Sequence, residues 1–106
     1  MNPKIRDILA ELRRQFEVLY GERLVKMVLY GSQARGDAES GSDIDVLVVL
    51  QGSVNPGEEI AATGEIVAEL SLRFNEVVSC VFMEEERFVR RNGPLLRNIR
   101  KEGIAV

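Results

Sequence analysis

The sequence predicts a small α/β domain, on three observations. Short β-branched apolar runs alternate with longer stretches of helical periodicity, the order being helix, strand, strand, helix, strand, helices. Helix-start chemistry occurs twice in the same form, as Asn2-Pro3 and Asn55-Pro56. The run Ile44 to Leu50 is apolar on both faces once past Asp45, as in a central strand covered by helices. At 106 residues the chain has room for one core, so a single domain over residues 1–106 is expected.

Asn2 as N-cap and Pro3 as first helical residue open a helix. Ile5, Ile8, Leu9, Leu12, Phe16 and Leu19 then recur at helical spacing until Gly21. Leu24 to Tyr30 reads as a strand, interrupted by Gly31-Ser32. Gln33 to Gly36 reads as one helical turn, and Asp37 to Ser42 as a polar loop. Ile44 to Leu50 forms the second strand. Asn55-Pro56 starts a helix with Glu58 at the capping-box position. Ile60, Val67, Leu70 and Phe74 give that helix an apolar side. Gly64 inside it costs roughly 1 kcal/mol against alanine, which points to close packing against a strand. Glu76 to Phe82 is the third strand. Glu84-Glu85-Glu86 suits the first turn of a short helix. Asn92-Gly93 breaks that helix, Pro94 begins another, and Gly103 ends it.

Composition removes several kinds of chemistry. There is no histidine, which excludes Ser-His and Cys-His catalysis and the usual zinc sites. Cys80 is the only cysteine and lies in an apolar run, so it reads as a small buried hydrophobe rather than a nucleophile. Any metal must therefore be held by oxygen ligands. The net charge of −3 gives no global field for nucleic acid. Arg87, Arg90, Arg91, Arg97, Arg100 and Lys101 are interleaved with acidic residues and read as solvated helix faces. A polynucleotide acceptor is accordingly not expected. With no signal-peptide pattern and no apolar run of membrane-spanning length, the expected location is cytoplasmic.

Two short elements carry chemistry. Asp43 and Asp45 alternate onto one strand face, where like charges repel unless a cation lies between them. Hard divalent ions such as Mg²⁺ are bound by one or two carboxylates together with waters and substrate phosphates. Gly31-Ser32 follows the preceding strand, and its amides and hydroxyl suit phosphate oxygens. Arg35 adds a positive charge at the same place. The two halves meet if the two strands are neighbours in the sheet.

The segment GSQARGDAESGSDIDVLV, Gly31 to Val48, resembles the signature of the nucleotidyltransferase superfamily typified by DNA polymerase beta. Its Gly-Ser-x-Ala-Arg-Gly form is similar to the minimal, MNT-type members. The resemblance implies a nucleotidyltransferase fold, an α/β (α+β) domain with a small mixed sheet of three to four strands flanked by helices. It further implies that Gly31 and Ser32 bind the triphosphate of an incoming nucleotide such as ATP, helped by Arg35. Asp43 and Asp45 would hold Mg²⁺, possible as a two-metal site, while an acceptor hydroxyl attacks the α-phosphorus and expels pyrophosphate. Active members usually carry a third carboxylate on a neighbouring strand. The matching strand here contains no aspartate, and Glu76 at its start is the candidate for that role, with Ser79 the only other polar side chain inside. Three functions follow from the resemblance: a Mg²⁺-dependent transferase acting on a hydroxyl, possible on a partner protein; an antitoxin-like module paired with a HEPN-type protein; and a nucleotide sensor without turnover.

Overall fold

The computed structural model describes residues 2–106. Its helices are α1 (Pro3–Tyr20), α2 (Ser32–Arg35), α3 (Pro56–Phe74), α4 (Glu85–Arg90) and α5 (Pro94–Glu102). Its strands are β1 (Leu24–Tyr30), β2 (Ile44–Leu50), β3 (Val78–Glu84) and β4 (Ile104–Ala105), and a single 3₁₀ turn over Gly21–Arg23 joins α1 to β1. Both predicted caps form: Asn2 Oδ1 accepts from Lys4 N at 2.8 Å, and Asn55 Oδ1 from Glu58 N at 3.2 Å.

The four strands make one mixed sheet in the order β3-β2-β1-β4. β1 pairs antiparallel with both β2 and β4, whereas β2 and β3 run parallel. Strand alternation sorts β2 between two cores. Ile44, Val46 and Val48 pack with α1 through Ile8, Leu12 and Phe16. Leu47 and Val49 face the other way, onto Leu96 and Ile99 of α5. Asp45 shares the parity of Leu47 and Val49, so it belongs to the α5 side of the sheet, at the start of β2, with Asp43 just before the strand.

Several expectations shift. β3 runs Val78–Glu84 rather than from Glu76, because its parallel ladder with β2 starts at the pair Ile44–Val78. α2 starts at Ser32, and the sheet gains β4 after Gly103. On α3 the expected stripe holds at Val67, Leu70 and Phe74, which pack into the core, but not at Ile60, which is 58% exposed; Glu59 and Thr63 are buried instead. The Tyr20 hydroxyl donates to Glu59 Oε1 at 3.0 Å, which gives the inward carboxylate a partner. Gly64 does not pack closely on anything, since a β-carbon there would meet no atom within 4 Å. No helix among the described residues is long and apolar enough to cross a membrane.

Candidate active site

The site begins where β1 ends. Tyr30 at the end of β1 is the cross-strand partner of Asp45 near the start of β2. That single register places Gly31-Ser32 beside the aspartate pair, although the two lie a loop apart in sequence. Gly31 has φ +76°, a conformation that costs other residues dearly. A β-carbon on it would fall 2.6 Å from Asp45 Oδ2. Glycine is thus required twice over, by dihedral and by space. The carbonyl of Gly31 accepts from the amides of Ala34 and Arg35, both at 3.1 Å, closing the turn of α2. The amides of Ser32 and Gln33 precede those bonds in the turn.

The loop to β2 is closed by a reciprocal pair between Glu39 and Ser42. Ser42 N donates to Glu39 O, and Glu39 N to Ser42 Oγ, both at 3.0 Å. Ile44 N then donates to Val77 O at 2.8 Å, anchoring the strand that carries Asp43 and Asp45. Partial burial, followed by the charge of Asp43, pushes the Asp45 carboxyl above its ordinary pKa, with Arg35 acting in the opposite direction. A carboxylate held against its preference in this way is one that a cation would relieve. Tyr30 is half-buried, and burial followed by the Asp45 charge raises its phenol pKa.

Arg35 is engaged on two sides. Its Nε donates to Asp37 Oδ2 at 3.1 Å and its Nη1 to Glu102 Oε1 at 3.2 Å. Asp37, in the polar loop, is thereby an ion-pair partner while staying largely exposed. Glu102 and Tyr30 were not singled out from sequence. The only available signal for Glu102 is that it is the one acid in the basic tail Arg97 to Lys101 and beyond.

Glu76 is not brought to the aspartates. It lies before β3, and Lys4 of α1 pairs with it, Nζ to Oε1 at 3.3 Å. Its partner Lys4 belongs to α1, the helix on the Val78 side of the sheet. The residue of β3 in register with Asp45 is Ser79, which is exposed. Among the described residues no group of three or more acidic, cysteine or histidine side chains comes together. Cys80 is a free, mostly buried thiol whose pKa burial pushes up to about 12, as an inert packing residue requires.

The sequence model of the nucleotidyltransferase domain matches residues 5–106. The chain belongs to that family. A Methanocaldococcus jannaschii protein provisionally named a protein adenylyltransferase is 35% identical over 85 residues, 79% of this chain and 79% of the relative. A solved toxin–antitoxin structure with AMP-PNP shares the fold with a TM-score of 0.63 at 19% identity, covering 93% of this chain and 69% of that one. A Shewanella oneidensis complex of a tri-AMPylated HEPN toxin with an MNT antitoxin gives 0.54 at 15% identity, covering 92% and 70%.

In this nucleotidyltransferase domain the aspartate pair is the donor set that fits the divalent metal the family implies. Asp43 and Asp45 offer hard carboxylate oxygens, and Asp45 has no hydrogen-bond donor among the described side chains. Its pKa is raised rather than lowered. Such a pair suits an ion that completes its shell with water and phosphate oxygens.

Proposed function

We propose that this domain binds a Mg²⁺–nucleoside triphosphate and transfers the nucleoside monophosphate to a hydroxyl acceptor on a partner protein, with ATP as donor. The observation that carries this reading is the Tyr30–Asp45 register, which brings the Gly31-Ser32 turn next to Asp45. The adenylyltransferase name of the Methanocaldococcus relative supports the choice of donor and of a protein acceptor. The AMP-PNP and HEPN-toxin complexes of the structural neighbours support the same reading and suggest a HEPN-type partner.

The chain's own residues divide the work. Gly31, without a side chain, leaves the triphosphate room beside Asp45. The Ser32 hydroxyl and the amides of the turn donate to phosphate oxygens, and Arg35 supplies compensating charge. Asp43 and Asp45 would hold Mg²⁺, whose chemistry there would be to neutralise charge on the phosphates. The acceptor oxygen forms a bond to the α-phosphorus as the bond from that phosphorus to the α–β bridging oxygen breaks, and pyrophosphate leaves with the electron pair. Since Ser79 stands where a third carboxylate would face Asp45, the acceptor proton passes to water or to a base brought by the acceptor. Catalysis is then positioning and charge neutralisation.

That serine also favours a second reading, in which the domain binds the nucleotide and its partner without turnover. Titration calorimetry with ATP, with and without Mg²⁺, followed by transfer of label from α-³²P-ATP to a co-purified partner, separates the two. Mg²⁺-dependent binding lost in Asp43→Asn/Asp45→Asn, with labelled partner, is the expected result. Binding without label leaves the sensor, and no binding by the wild type removes both.

A further inference from the structure

We propose that Glu102 is a positioning residue for the nucleotide site, holding the Arg35 guanidinium at the triphosphate turn; the inference rests on the nucleotide-binding reading above. Arg35 sits on a four-residue helical turn with a largely solvated side chain, 46% exposed. A free arginine there would spread its charge over many rotamers. Instead two carboxylates fix the guanidinium from different elements, Asp37 at Nε and Glu102 at Nη1. This leaves Nη2 and the outer N–H groups for a phosphate.

Glu102 is the better anchored of the two, its side chain 23% exposed against 62% for Asp37. It ends α5, whose Leu96 and Ile99 are buried on β2. Gly103 then fits a gap where a β-carbon would collide with Ile99 O and with Val28 Cγ1 of β1. Ile104 pairs with Leu29, two residues before Gly31. The carboxylate is therefore locked, through α5 and β4, to the same end of β1 that carries the phosphate turn.

Bulk charge and positioning predict opposite outcomes. Glu102→Gln removes a negative charge near a triphosphate, which by field alone tightens binding. Positioning predicts weaker binding, and only while Arg35 is present. The experiment is a double-mutant cycle of Arg35→Ala and Glu102→Gln, titrated with Mg²⁺ and α,β-methylene-ATP, whose α–β bridge cannot be broken. Melting curves check that each variant is folded. Expected is a loss of about tenfold for Arg35→Ala, about threefold for Glu102→Gln, and no further loss in the double variant. Unchanged or tighter binding by Glu102→Gln, or additive losses, overturns the positioning role alone. If the wild type does not bind, the nucleotide reading fails and the inference falls with it.

Discussion

Gly31 and Asp45 approach so closely that a single β-carbon on Gly31 would sit 2.6 Å from the Asp45 carboxylate. The contact joins the first residue of the Gly31-Ser32 turn to the second aspartate of the pair. Gly31→Ala must therefore either leave φ +76° or push Asp45 away. The expected cost is about 1–3 kcal/mol of folding stability. Mg²⁺–ATP affinity should fall at least tenfold, because the displaced carboxylate is the proposed metal ligand. Urea denaturation and calorimetry measure the two effects separately.

Asp45 should carry a stability cost when no cation is bound. Its folded-state pKa is raised above the ordinary 3.8, mainly by burial and then by Asp43. The destabilisation is absent below the unfolded value, appears as pH rises through the folded value, and is complete above it. Asp45→Asn is accordingly expected to raise the melting temperature at pH 7 by about 1–4 °C, with the gain vanishing as pH approaches 4. The side chain is partly solvated, which keeps the effect below about 1 kcal/mol. Mg²⁺ should stabilise the wild type and leave the variant unmoved. A lower melting temperature for Asp45→Asn at pH 7 would contradict the argument.

Gly64 offers a test away from the site. It lies within α3 with open space where a β-carbon would project. Gly64→Ala should stabilise the fold by about 0.5–1 kcal/mol, through helix propensity and a restricted unfolded chain. Nucleotide affinity should not change. A loss of stability on thermal melting would mean that a partner or a packed neighbour occupies that space.

The elements were legible because their signals are local. Asn2-Pro3 and Asn55-Pro56 cap the helices they announce, and the apolar run Ile44 to Leu50 is the central strand. Both halves of the candidate site, Gly31-Ser32 and Asp43-x-Asp45, stand out in the sequence, yet their meeting depends on a register that spacing does not specify. Long-range pairs were out of reach. Glu76, a candidate from sequence, is paired with Lys4, far away along the chain. Tyr20 of α1 reaches Glu59 of α3, a pairing that gives a buried carboxylate its partner. β4 is two residues long and exists only through its pairing with β1, and Glu102 acquires meaning through Arg35.

The contrast between Glu76 and Ser79 gives the sharpest check on how the site is built. Glu76 pairs with Lys4 in a partly exposed ion pair, so Glu76→Gln should cost about 0–1 kcal/mol and leave Mg²⁺–ATP affinity within twofold of wild type. Ser79 faces Asp45 across the β2–β3 ladder. Ser79→Asp places a third negative charge in register with an aspartate that already resists ionisation. The melting temperature without metal should therefore fall by about 2–5 °C. Mg²⁺ should restore it, because a third oxygen donor strengthens cation binding while the same charges repel one another without it. Thermal melts across a Mg²⁺ titration read this directly. A Ser79→Asp protein whose stability ignores Mg²⁺ would mean that position 79 does not face the metal, whereas lost nucleotide binding in Glu76→Gln would return Glu76 to the site.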